Sequence, residues 1–207
     1  MIRFYKTPLL LRRQYPELIW STASADSIHL TFDDGPHAEI TPWVLNELDK
    51  FNAKATFFCL GANLEKHPEL GKQILLEGHR LANHSYSHLD GWKTKNNVYL
   101  EDLKLGKEVV QEFGVENPHF RPPYGRIRKR QIAKITEPIV MWSHLSWDFE
   151  PSLNLAKSLS AMKAAGPGSI LTFHDSWKAF DNLRVLLPEL LEHFRTKGLL
   201  FKTLADD

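Results

Sequence analysis

Short apolar, β-prone runs alternate with stretches of helical spacing along nearly the whole chain, and that alternation limits the folds open to it. The runs fall at 27–33, 55–60, 80–83, 119–121, 139–142, 169–173 and 199–204. Between them apolar residues recur at helical intervals, as in Val44, Leu45, Leu48 and Phe51 after Thr41-Pro42, or Leu100, Leu103, Val109, Val110 and Phe113 before Gly114. Further helices are predicted over 68–77, 128–135, 153–165 and 183–194. Strand-helix-strand order with largely apolar strands predicts an α/β class built on parallel strands. At 207 residues one domain is the default. Residues 1–25 read as an N-terminal arm packed on the body through Leu18, Ile19 and Trp20, and 26–207 as the domain proper.

The polar clusters fall at the ends of the predicted strands. Thr31-Phe32-Asp33-Asp34-Gly35-Pro36 closes the first run with two adjacent carboxylates at a turn. Carboxylates crowded together repel unless a cation keeps one ionised and leaves the other as a base. His84-Ser85-Tyr86-Ser87-His88 sets two imidazoles at i and i+4, which on a helical turn would share one face. With Asp34 they form a candidate set of two histidines and one carboxylate, leaving positions open on a metal as catalysis requires. Arg121 and His174 also follow strands directly, and in a (β/α) barrel all such positions open onto one face.

Four of these segments carry a resemblance. Thr31 to Pro36, His84 to His88, Arg121-Pro122-Pro123-Tyr124-Gly125 and Leu171-Thr172-Phe173-His174-Asp175 resemble, in order, motifs of the NodB-homology polysaccharide deacetylases, carbohydrate esterase family four. The resemblance covers about residues 27–204 and implies a distorted (β/α) barrel of about seven parallel strands, with the site at their C-terminal ends. It implies a divalent metal, foremost Zn2+ with Co2+, Ni2+ or Mn2+ as substitutes, held by Asp34, His84 and His88. Asp33 would be the general base and Arg121 its partner, the backbone N–H of Tyr124 would stabilise the oxyanion, and His174 would protonate the departing amine. Trp142 to Phe149 resembles the fifth motif, with Asp148 paired to His174. Asp148 could equally cap a helix beginning near Pro151.

Two positions depart from that pattern. Phe149 stands where the family has Trp, and Thr172 where it has Leu, both in the pocket for the acyl methyl group. A formyl or other small polar acyl group is therefore an expectation beside plain acetyl. Trp177 and Phe180 read either as a sugar-stacking platform or as ordinary packing. The basic run Arg126-Ile127-Arg128-Lys129-Arg130 reads as a solvated helix face or a lure for an anionic glycan.

Twenty-six Lys+Arg against 25 Asp+Glu give a net charge of +1, which excludes nucleic-acid binding through bulk charge. Cys59 is single and lies in an apolar run, so it reads as a small buried hydrophobe. Leu9-Leu10-Leu11 is too short for a secretory core or a membrane span, and a cytoplasmic location is the expectation. The partner expected is a saccharide substrate, with oligomeric state left open. Rival readings are a silent carbohydrate-binding relative, a deacylase of a small N-acyl amine, and an Fe(II) oxygenase using the same ligand types.

Overall fold

The structure, a computed structural model, describes residues 4–204. The first half runs α1 (Leu9–Gln14), β1 (Ser27–Asp33), α2 (Ile40–Asp49), β2 (Ala55–Cys59), α3 (Gly61–Lys66), α4 (Pro68–Leu76) and β3 (Arg80–Asn83). The second runs α5 (Asn96–Glu112), α6 (Lys129–Ile132), β4 (His144–Leu145), α7 (Leu155–Lys163), β5 (Ile170–His174), α8 (Trp177–Thr196) and β6 (Leu200–Phe201).

β1 is the central strand. It lies parallel to β2, with Asp33 opposite Phe58, and to β5, with Thr31 opposite Thr172 and Asp33 opposite His174. β3 adds outside β2, β4 outside β5, and β6 pairs with Ser27 and Ile28 at the start of β1. Every residue of β1 is buried, because helices cover one face and the barrel interior lies behind the other. Period-two alternation sends Leu30 and Phe32 toward the helices, where Phe32 stacks on Phe57 and Phe173 at 5.1 and 5.8 Å. The same alternation turns Thr31 and Asp33 inward.

All seven expected runs are in place, but two are held by single pairings rather than ladders. Phe120 bridges Asn83 at the end of β3 on one side and Ile139 on the other, both in parallel sense. The chain from Ile139 then runs through β4 onto β5. The ring therefore closes as β1, β2, β3, the Phe120 segment, the 139–145 segment and β5, with β6 outside the circuit. Pro122-Pro123 ends the Phe120 run, and Pro138 lies just before the next, so neither neighbourhood can supply a full ladder of donors.

The arm lies along the 139–145 segment. Ile19 bridges Val140, Lys6 bridges His144, and Leu18 and Trp20 are buried with Tyr99, Phe120 and Met141. Helix α8 starts six residues before its expected onset at 183, since its first turns carry little apolar periodicity. The helix expected over 128–135 shrinks to Lys129–Ile132. Among the described residues no helix is long and apolar enough to cross a membrane.

Candidate active site

The C-terminal ends of β1, β3, the Phe120 segment, β4 and β5 deliver Asp33-Asp34, His84, Arg121, Asp148 and His174 to one mouth of the barrel. Arg121 is fully buried beneath it. Its Nη1 donates to Asp33 Oδ1 at 2.6 Å and to Thr31 Oγ1 at 2.8 Å, while Nη2 and Nε donate to the carbonyls of Met141 and Val140 at 2.9 and 3.2 Å. The guanidinium also lies 4.0 Å over the Phe58 ring. Burial pulls the Arg121 pKa down and the Asp33 charge pushes it back, so the ion pair is what keeps a cation inside the barrel.

Asp34, His84 and His88 come together as the sequence spacing requires, but not on a helix. Ser85 and His88 lie at φ 69° and 63°, which no continuous helical turn allows. The loop is pinned from outside instead: Ser85 N–H donates to Asn83 Oδ1 at 2.8 Å, Tyr86 N–H to the Asp102 carbonyl at 3.0 Å, and Ser87 Oγ to Asp102 Oδ1 at 2.5 Å. Asp34, at φ 77°, has its carbonyl held by Asn63 Nδ2 at 2.7 Å. The next residue must be glycine, because a Cβ at Gly35 would lie 2.1 Å from Asp175 Oδ2.

His84 Nδ1 donates to the Arg121 carbonyl at 2.9 Å, an acceptor that can only receive, so the neutral ring has a bare Nε2. Burial holds the His84 pKa down to about 4, so the ring is neutral at neutral pH. Asp34 Oδ1 is buried without a hydrogen-bond partner, 3.6 Å from His84 Nε2 and 3.2 Å from His88 Nε2. Burial raises the Asp34 carboxyl, but contact with His88 and the charge on His174 outweigh it and leave the group well below the usual carboxylate range. The three ligand atoms lie within 4.8 Å of one another. An orphaned carboxylate oxygen facing two imidazole nitrogens suits a divalent cation, and the donor set fits zinc chemistry.

His174 is the second charged pair. Its Nδ1 donates to Asp148 Oδ1 at 2.7 Å and its backbone N–H to Asp148 Oδ2 at 2.8 Å, leaving Nε2 as the uncommitted nitrogen. Burial lowers the His174 pKa, yet Asp148, with Asp34 and Asp33 behind it, raises it to about 9. Asp148 therefore holds the histidine, while the helix after it takes Asn154 as its N-cap. Phe149 sets its ring against His174 at 4.9 Å. Thr172 does not offer a free hydroxyl to an acyl pocket: it is fully buried and shares a 3.1 Å hydrogen bond with Thr31 Oγ1.

Asp175, Thr41 and Asn63 escape a reading of sequence, since none has a partner at local spacing. Asp175 is fully buried, takes a 2.5 Å hydrogen bond from Thr41 Oγ1, and donates its N–H to the Asp33 carbonyl at 3.2 Å. Burial first, then Asp34 and Asp33, raise its pKa to about 8 against the Thr41 bond, so it is protonated at neutral pH. Its place directly after His174 was the one available signal.

The polysaccharide deacetylase family profile matches residues 21–137, more than half of the chain. The chain belongs to the polysaccharide deacetylase family. It is a carbon–nitrogen hydrolase that deacetylates amino-sugar saccharides. A peptidoglycan-N-acetylglucosamine deacetylase of Bacillus cereus is 34% identical over 207 residues, covering 96% of this chain and 74% of the relative. The peptidoglycan-N-acetylglucosamine deacetylase PgdA of Listeria monocytogenes is 36% identical over 182 residues, covering 86% of this chain and 38% of the relative's length. The crystal structure of a peptidoglycan N-acetylglucosamine deacetylase in complex with 4-naphthalen-1-yl-N-oxidanyl-benzamide superposes with a TM-score of 0.84 at 32% identity, covering 96% of this chain and 95% of the other.

For this deacetylase the Asp33–Arg121 pair makes a stability prediction. Arg121→Met should destabilise the fold by about 3–5 kcal/mol, because it strands a buried carboxylate and leaves two carbonyls without donors. Chemical denaturation of parent and variant checks this. A loss below about 1 kcal/mol would show that water reaches Asp33 and that the pair is not needed to hold it.

Proposed function

We propose that this deacetylase removes the N-acetyl group from N-acetylglucosamine in a peptidoglycan-type glycan, with zinc as the resident metal. One observation carries the reading: an Asp34–His84–His88 cluster with an orphaned carboxylate oxygen, flanked by a buried Asp33–Arg121 pair and an Asp148–His174 pair. Asp34, His84 and His88 would hold the ion, which when bound supplies Lewis acidity toward the acyl oxygen and lowers the pKa of water. The relatives' named substrates, and the N-hydroxyamide group bound by the solved neighbour, support the same chemistry.

The chain's own groups then divide the proton work. Asp33 keeps Oδ2 free of Arg121, and this oxygen takes the proton of the attacking water. The backbone N–H of Tyr124, whose residue sits at φ 59° beside His88, faces the negative charge developing on the acyl oxygen. His174 is protonated near neutrality and gives a proton from Nε2 to the sugar nitrogen as its bond to the acyl carbon breaks. Acetate and a free amine result. Acetyl is the acyl group we favour over formyl, since the Thr172 hydroxyl is engaged by Thr31.

Metal exchange tests this against its rivals. Chelation should reduce acetate release from N-acetylglucosamine oligomers to background, and a single equivalent of zinc should restore it. Restoration by iron alone, with oxygen consumed, would place the site among the oxygenases. Metal binding without any acetate release would favour a silent relative.

A further inference from the structure

Leu9-Leu10-Leu11 belongs neither to the active site nor to the core. Helix α1 buries none of its residues: Leu9, Leu10 and Leu11 are 66, 78 and 39% exposed, and Phe4 before them 55%. Apolar residues scattered singly over a surface need no explanation, whereas four between Phe4 and Leu11 form a patch.

The chain carrying them is not loose. Thr7 N–H donates to the Ser143 carbonyl at 2.9 Å, Thr7 Oγ1 to the Trp142 carbonyl at 2.8 Å, and Leu145 N–H to the Tyr5 carbonyl at 2.8 Å. Beyond the helix, Trp20 Nε1 donates to the Tyr15 carbonyl at 3.0 Å, and Leu18 and Trp20 are buried. The arm is fastened on both sides of α1, which stands between them as a held protrusion.

Cations flank the leucines. Leu9 and Arg13 share a helix face at i, i+4, and Leu10 lies at i, i+3 from the same arginine. Lys6 is exposed just before the helix. Just after it, Lys129 Nζ lies 5.4 Å over the Tyr15 ring, with exposed Arg130 next in α6. Within the basic run, Arg126 is clamped by Asp90 at 2.6 Å and Arg128 donates to the Thr94 carbonyl at 3.1 Å, which leaves Lys129 and Arg130 to solvent. Among the described residues Lys6, Arg13, Lys129 and Arg130 form no ion pair, and Glu17 is the one carboxylate between Phe4 and Ala25.

We infer that α1, with Phe4 and the cations Lys6, Arg13, Lys129 and Arg130, is a docking face for an anionic phospholipid surface. Leucines bordered by unpaired cations match a bilayer, where apolar side chains enter the acyl boundary and basic stems reach back to the phosphates. A second copy of the chain on the same face would set these cations against themselves. The contact is peripheral, since no described helix can cross a membrane. Its Phe4 end adjoins the mouth of the barrel: the Phe4 carbonyl accepts from Trp147 Nε1 at 3.1 Å, and the Trp147 ring lies 5.4 Å from Phe149, which packs on His174.

The experiment floats the full chain with vesicles of phosphatidylcholine, alone or with about a third phosphatidylglycerol. The parent should rise with the anionic vesicles, lose most of that binding in about 1 M salt, and leave pure phosphatidylcholine largely unbound. Leu9→Ser with Leu10→Ser should weaken binding about tenfold or more, and Arg13→Glu with Lys129→Glu about as much. All four side chains are exposed and outside the site, so denaturation midpoint and acetate release from a soluble oligomer should match the parent. A parent that stays with the buffer, or a serine variant that rises as well as the parent, overturns the docking face. So does a parent that sediments as a dimer and a serine variant that sediments as a monomer, which would assign the leucines to a second copy.

Discussion

Asp33→Asn should lower turnover of the folded, metal-loaded protein about a hundred- to ten-thousandfold, with a lowered denaturation midpoint beside it because Arg121 loses its counter-charge. Asparagine has nearly the same shape and still offers Arg121 an acceptor oxygen, and Arg121 retains Thr31, Val140 and Met141. The ligands Asp34, His84 and His88 are untouched. What disappears is the carboxylate oxygen that Arg121 leaves free for a proton. The measurement is kcat on an N-acetylglucosamine oligomer, with metal content and denaturation midpoint taken on the same preparation. If Asp33 served only to neutralise Arg121, activity would fall in step with the folded fraction. A folded, metal-loaded variant as active as the parent would remove Asp33 from the role of base.

How the site becomes legible differs from group to group. Asp33 and Asp34 could be placed because a β-prone run with apolar residues at Ile28, Leu30 and Phe32 stops at Gly35-Pro36, and strand ends in an α/β fold share a face. His84 and His88 were placed together for a reason the structure replaces: their i, i+4 spacing suggested a helical turn, whereas a loop with two left-handed residues joins them. That loop owes its shape to Asn83 and to Asp102 on α5, bonds that no local pattern displays. Gly106 on the same helix lets it approach, since a Cβ there would lie 2.5 Å from Asn83 Oδ1. The stave through Phe120 was expected as a strand stub and is one residue deep, because closure of the ring rests on pairings far apart in sequence. Thr172 draws notice in the sequence only as a departure in the acyl pocket; its pairing with Thr31 emerges in three dimensions, where cross-strand register sets the two side by side under Arg121. Sequence carried the chemistry at strand ends; tertiary packing supplied the supports beneath it.

Asp148→Asn should shift the alkaline side of the pH–rate profile and cut activity at mildly alkaline pH by about a hundredfold or more. In the parent, burial alone would lower the His174 pKa, and Asp148 is the foremost group raising it to about 9. The histidine therefore stays protonated, and able to act as an acid, through neutrality and into mild alkali. A neutral amide at 148 removes that charge and leaves burial dominant, so the activity limb governed by His174 should move below 9 toward or past the ordinary value of 6.5. A divalent ion on Asp34 would cancel part of that carboxylate's contribution, which places the parent's own limb at or slightly below 9. Stability follows with a definite sign. A histidine pKa raised on folding adds stability that is fully present below 6.5 and is lost as pH rises through about 9. The gap in denaturation midpoint between parent and Asp148→Asn should thus be widest in mild acid and close above about pH 9. A variant whose rate profile keeps the parent's alkaline limb would show that Asp148 orients the imidazole without setting its charge, and that the leaving amine takes its proton from elsewhere.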